Sequence, residues 1–317
     1  MIKIIKIYYF ILIILFSLQL NAEIDVKIKY SGKNSSIPQL TRKIINKNYQ
    51  RYENFLGLEE DLNMNCIIVT NKEELLRELG HQVPEWLAGV MDYRKNRIVL
   101  KSPKFENISH EQYESTIKHE LVHFMQNSVV PLSITPNWFD EGVAEYLVKR
   151  HTIRSQIILS RALNREKLIP LDELNFAFSP NRTKSQLAYA ESSSLIDFLM
   201  IAYGEEIIKD ILTNIKAGQT FSRAWFSATG MEYEHLDFHW QKYIKKRYKW
   251  IFLLDFKYLI WLIMPVILII AFIIKKITNQ EIINEWDEES ENEENKISPE
   301  DDIFKTFDNN DLSHKSD

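Results

Sequence analysis

The chain has 317 residues, 39 basic against 44 acidic side chains, and a formal net charge of -5. No basic stripe interleaved with aromatics is present, which excludes an obvious nucleic-acid partner. A single cysteine, Cys66, excludes an intrachain disulfide framework.

At the N-terminus, Lys3 and Lys6 precede an apolar run from Ile7 to Leu20 that closes in Leu20-Asn21-Ala22. This has the form of a secretory signal, residues 1–22, with cleavage after Ala22. Leu20 is bulky for its position three residues before the cut, so retention as an uncleaved anchor stays open. Residues 23–250 then provide enough chain for one sizeable core. Helical spacing is expected over Leu40–Phe55, a strand over Asn65–Thr70, a helix over Asn71–Gly80 and a strand over Arg97–Lys101.

The next helix carries the chemistry. Ser109 with Gln112 three residues later is a capping-box signature, and Glu111 and Glu114 suit the positive first turn. Tyr113, Ile117, Leu121 and Phe124 recur at helical spacing as a core face. On the neighbouring strip runs His119-Glu120-Leu121-Val122-His123, an HExxH string. Positions i and i+4 share one face, so two imidazoles there can grip one metal ion, with Glu120 close enough to act on a water that the metal activates. Pro131 ends this helix, and a second begins near Asn137 within Asn137-Trp138-Phe139-Asp140-Glu141-Gly142-Val143-Ala144-Glu145-Tyr146. A catalytic zinc usually takes three protein ligands plus water. Glu141 is the best candidate for the third, because the apolar residues around it leave a partly buried carboxylate in need of a partner. The bland alternatives are two helix histidines without metal and a solvated surface glutamate.

HELVH followed after a short gap by WFDEGVAEY resembles the gluzincin group of zinc metallopeptidases, in particular the compact peptidase-MA-like proteins. The resemblance covers Ile37 to about Trp250, with its specificity concentrated between Ser109 and Leu147. It implies an α+β domain, a small sheet followed by a helical part. It also implies one Zn2+ held by His119, His123 and Glu141, with Glu120 as general base. Glu145, one turn beyond the third ligand, would orient a liganding histidine, although Glu rather than Asp at that position departs from the pattern. The strand Arg97–Ser102 would form the sheet edge that pairs with extended substrate; a plain structural strand is the equal alternative. Tyr189, on the helix opening near Gln186 and running to about Tyr203, would steady the oxyanion; an ordinary half-buried tyrosine is the alternative.

Further helices are expected at Glu205–Ala217, Phe221–Thr229 and Tyr233–Lys249. His235 and His239 repeat the i, i+4 spacing but lack an intervening glutamate, and read as packing or surface residues; His81, His110, His151 and His314 read likewise. A second apolar run spans Ile251–Ile274, and its uninterrupted part, Tyr258–Ile274, would rise about 25 Å against a hydrocarbon core of roughly 30 Å. Residues 251–276 therefore read as a transmembrane helix set in the lipid bilayer. Lys275 and Lys276 favour a cytoplasmic C-terminus, whereas the basic cluster Lys245–Lys249 argues the reverse. The N-terminal signal breaks the tie, leaving the domain outside and residues 277–317 in the cytoplasm. Between Glu281 and Asp302 that tail holds eleven acidic residues against one lysine, Lys296. It reads as a disordered acidic tail, with a docking segment for a cytoplasmic partner as the lesser alternative. The leading function is thus a membrane-anchored zinc metallopeptidase acting on a peptide or protein substrate. The alternatives are a metal-binding but non-catalytic receptor or assembly factor, and a purely structural anchored domain. Neither alternative requires Glu120.

Overall fold

A computed structural model describes residues 24–58, 60–105, 107–149, 152–178 and 181–294. The expected signal segment, His151, His314 and the tail beyond residue 294 lie outside the described residues. The chain divides between Phe252 and Leu253 into two compact units.

The first unit is mixed α+β. Its strands are β1 (Asp25–Tyr30), β2 (Asn63–Val69), β3 (Gly89–Asp92) and β4 (Arg97–Lys101). They form one sheet in the order β1-β2-β4-β3, with β1, β2 and β4 parallel and β3 antiparallel to β4. Helix α1 (Ser36–Leu56) crosses from β1 to β2, and α2 (Lys72–Leu79) follows β2. The unbroken apolar run in β2 follows from burial on both faces, the usual state of an inner parallel strand. Cys66 and Ile68, with Ile98 and Leu100 of β4, face the main core. Ile67, Val69 and Val99 face the other way, against Leu75 and Leu79 of α2.

The expected edge at Arg97–Ser102 is corrected here. The loop 93–96 turns the chain back on itself, so β4 lies between β2 and β3, and the edge strand beside the following helix is β3.

The helical part comprises α3 (His110–Val129), α4 (Asn137–Lys149), α5 (Ile153–Asn164), the short α6 (Leu171–Leu174), α7 (Arg182–Tyr203), α8 (Ile207–Lys216), α9 (Phe221–Thr229) and α10 (Leu236–Tyr248). Tyr113, Ile117, Leu121 and Phe124 of α3 are buried as their spacing requires. Tyr113 also shares a buried hydroxyl–hydroxyl bond of 2.8 Å with Thr41 of α1. Helices α4 and α7 approach backbone to backbone at Gly142, where a β-carbon would lie 2.6 Å from the Ser192 carbonyl oxygen. Only glycine fits this contact, and it brings the site-bearing face of α4 against α7.

In the second unit, α11 runs over Phe256–Glu294. It includes a stretch, Leu259–Asn292, long and apolar enough to cross a membrane. Pro265 lies inside it, an interruption that apolar membrane helices tolerate. The helix continues past residue 276, so residues 277–294 are helical rather than disordered. No glycine or proline occurs between Val266 and Ser298 to stop it.

Candidate metal centre

The site is assembled by two helices, each pinned from behind. Ser109 caps α3 by accepting the Gln112 N–H at 3.1 Å, and the buried stripe of α3 then fixes which strip faces the cleft. On that strip His123 is 3% exposed and Glu120 is 6% exposed. The start of α4 is held by Trp138, fully buried among Phe139, Phe221, Trp225 and Tyr233, whose hydroxyl accepts the indole N–H at 2.8 Å. Beside it Asp140 is buried and accepts hydrogen bonds of 2.6 Å from both Gln126 of α3 and the Thr135 hydroxyl. That carboxylate ties the two helices together immediately before Glu141.

Three donor atoms converge as a result. His119 Nε2 lies 3.1 Å from Glu141 Oε2 and 3.1 Å from His123 Nε2, and His123 Nε2 lies 3.3 Å from Glu141 Oε2. These atoms form a group that could hold a metal ion. Two neutral imidazole lone pairs and a carboxylate cannot face one another so closely without a cation or proton among them. Tetrahedral zinc with ligands at 2.0–2.1 Å sets neighbouring donors about 3.3 Å apart. The observed triangle has that size, so the residues fit zinc without rearrangement.

The electrostatics describe the same crowding. Burial alone would pull His119 down, but hydrogen bonds to Glu141 and Glu145 outweigh it and lift the imidazole to about 10. Burial would likewise raise Glu141, yet His123 and His119 hold its carboxyl far below the usual carboxylate range. Glu120 is raised by burial, which His119 and His123 only partly offset, and its carboxylate accepts the Met91 N–H of β3.

Glu145 lies one turn beyond Glu141, with Oε1 3.5 Å from His119 Nδ1, on the side of the ring away from the donor triangle. A carboxylate so placed is suited to fix the tautomer and aim of an imidazole. Glu145→Ala should therefore weaken zinc affinity by about 10- to 100-fold without abolishing binding. Competition with a chromophoric chelator measures this, and an unchanged dissociation constant would return Glu145 to ordinary surface chemistry.

Tyr189 of α7 packs edge-on against His119, ring centroids 6.3 Å apart. Burial first, then the nearby Glu141, Glu145 and Glu120 carboxylates, push its phenol above the ordinary range, so it remains a neutral donor. Of the six residues singled out from sequence, His119, Glu120, Glu145 and Tyr189 line one pocket and Glu141 lines another, while the buried His123 meets His119 and Glu141 at the donor triangle. By contrast His235 and His239 lie on a turn and a helix remote in sequence from this cluster, and neither belongs to the metal-capable group.

Comparison with known proteins agrees with this architecture. The profile of the Peptidase MA superfamily matches residues 55–246, well over half of the chain. The chain belongs to the Peptidase MA superfamily. Its members are typically metal-dependent, in keeping with the His119, His123 and Glu141 group. The uncharacterized protein YhcO of Bacillus subtilis (strain 168) is similar, 22% identical over 237 residues, which cover 70% of this chain and 69% of that protein.

Several site-lining features of this Peptidase MA domain left little trace in the sequence. Tyr93, half-exposed in the loop after β3, lines the cleft beside Asp140 and Glu141. Asp140 carried one signal, a second acid adjacent to Glu141 in an apolar segment. The edge strand β3 is only Gly-Val-Met-Asp. It passes so close to α3 that a β-carbon on Gly89 would lie 2.6 Å from Thr116 Cγ2 and 2.9 Å from Glu120 Cγ.

Proposed function

We propose that this Peptidase MA protein is a membrane-anchored, zinc-dependent metallopeptidase of the gluzincin type. The observation that carries the proposal is the convergence of His119, His123 and Glu141 with Glu120 at their side. Zinc held by His119, His123 and Glu141 would supply Lewis-acid polarisation of a scissile carbonyl and would bring the pKa of water to about 7.

The chain's own residues supply the rest. Glu120, its carboxylate steadied by the Met91 N–H, accepts the proton of the attacking water and returns it to the departing amine. Tyr189, a neutral phenol bordering the same cleft, donates to the oxygen on which negative charge develops. Glu145 keeps His119 aimed at the metal.

Substrate is held by β3. The Ala88 carbonyl accepts the Lys101 N–H at 2.9 Å. In an antiparallel ladder the direction of these groups alternates, so Gly89 and Met91 turn theirs outward from β4; the Met91 N–H meets Glu120, which leaves the Gly89 groups and the Met91 carbonyl for a further strand. An extended peptide can add there as a further strand, beside Glu120. By the reading of the terminal segments, the domain faces outward and α11 spans the bilayer.

The test is metal analysis of the full-length chain, purified in detergent under zinc-replete conditions, with casein digestion in parallel. Bound zinc together with chelator-sensitive digestion is expected. A zinc-free chain would defeat the reading. Bound zinc with no digestion of casein or of a peptide library would favour a non-catalytic receptor.

A further inference from the structure

Along the first turns of α3, α5 and α7 the cleft opens into a cavity of about 460 Å³ that also includes His119 and Glu120 in its wall. Two exposed side chains in that wall, Arg154 and Arg182, have no ion-pair or hydrogen-bond partner among the described residues. Both stand in the first turn of a helix, Arg154 in α5 and Arg182 in α7, and neither helix has an acid there. The positive end of a helix favours acids and disfavours cations, so helix stability does not account for either arginine. Of the carboxylates in the same wall, Glu120 and Glu145 are engaged with His119. Glu111, exposed on the first turn of α3, offsets only one of the two guanidinium charges. One end of the cleft is thus left with positive charge presented as planar guanidinium forks, the donor geometry that matches a carboxylate.

We infer that Arg154 and Arg182 receive a carboxylate of the substrate on the C-terminal side of the bond to be cut. This rests on the peptidase reading above and adds its specificity. The side follows from strand direction. β3 runs from Gly89 to Asp92, so a chain added antiparallel to it runs from the Tyr93 end toward the Trp86 end. Trp86, Leu87, Ala88 and Gly89 border the arginine cavity, whereas Tyr93 borders the opposite side beside Glu141. Residues following the cleaved bond therefore enter the cavity. The carboxylate comes from an Asp or Glu side chain in that segment or from the free C-terminus of a short substrate.

The test uses the full-length, zinc-loaded chain in detergent with two peptide libraries. One is C-terminally amidated, so that only side chains supply carboxylates; the other has free C-termini. Cleavage maps should show Asp or Glu enriched after the cut in the first, or cuts clustered a few residues from the terminus in the second. Binding is read separately by fluorescence anisotropy on the Glu120→Gln chain, with a labelled Glu-containing peptide against its Gln twin and a free-acid peptide against its amide twin. The carboxylate member of one pair should bind at least about 10-fold tighter, about 1.4 kcal/mol. The double variant Arg154→Ala/Arg182→Ala should reduce that ratio to within about twofold. Arg154→Glu/Arg182→Glu should instead favour a Lys-containing peptide, a gain that a misfolded chain does not produce. Cleavage without carboxylate preference, or a preference that survives the double variants, overturns this inference and leaves the peptidase reading standing. A zinc-loaded chain that cuts neither library removes the peptidase reading, and equal binding of both twin pairs then removes this inference too.

Discussion

Glu120→Gln is expected to retain zinc and lose hydrolysis, with kcat/KM falling by about 100- to 10,000-fold, the range that a positioned proton-transfer group contributes. The amide keeps the volume of the carboxylate in a position only 6% exposed, so the packing of α3 against β3 is undisturbed. Its carbonyl oxygen can still accept the Met91 N–H that steadies Glu120. What it cannot do is take a proton. The measurement is paired: metal content and peptide turnover on the same preparation. A variant cleaving within a few-fold of wild type would assign the chemistry elsewhere, and one that also lost its metal would make Glu120 a structural support of the site.

Much of the framework behind this expectation is legible in the sequence because it is local. The buried stripe of α3, the capping residue Ser109 and the paired histidines one turn apart all follow from helical periodicity. Strands β2 and β4 stand out as apolar runs between turn residues, and α9 falls at Phe221–Thr229 as its boundary residues indicate. Other features depend on contacts between distant segments. Strand order is one: the family resemblance put the sheet edge at β4, and pairing with the four-residue β3 moves it inside the sheet. β1, Asp-Val-Lys-Ile-Lys-Tyr, alternates properly for a strand facing the core on one side, but it directly follows the segment read as a signal. Helix α5 is weakly marked in the sequence because its apolar face is modest and its cap, Thr152, follows the basic Arg150-His151 pair. Within the site, Glu141 could be chosen because its apolar neighbours demand a partner for it. Arg154 and Arg182 could not, because each is an ordinary exposed arginine until α5 and α7 bring both to one cavity.

Removing a metal-binding residue should have the other large effect, and it separates a metal centre from a cluster of buried polar groups. His119→Ala, His123→Ala and Glu141→Ala are each expected to lower bound zinc from about one per chain to near zero, since two remaining protein donors make a poor zinc site. The consequence extends to stability. A ligand that binds only the folded chain stabilises it by about 2.7 kcal/mol when present at 100 times its dissociation constant. For a domain of this size that corresponds to roughly 5–10 °C in Tm. Adding a chelator to the wild type should therefore lower its Tm by that order and leave the three variants unmoved. Without metal, a bound proton satisfies the triangle: His119 is lifted to about 10 by Glu141 and Glu145, so at neutral pH it is charged and paired with them. Zinc must displace that proton, which makes its apparent affinity rise with pH across the neutral range. Tm shifts by chelator that persist in all three variants, or zinc uptake indifferent to pH, would place the metal somewhere other than between His119, His123 and Glu141.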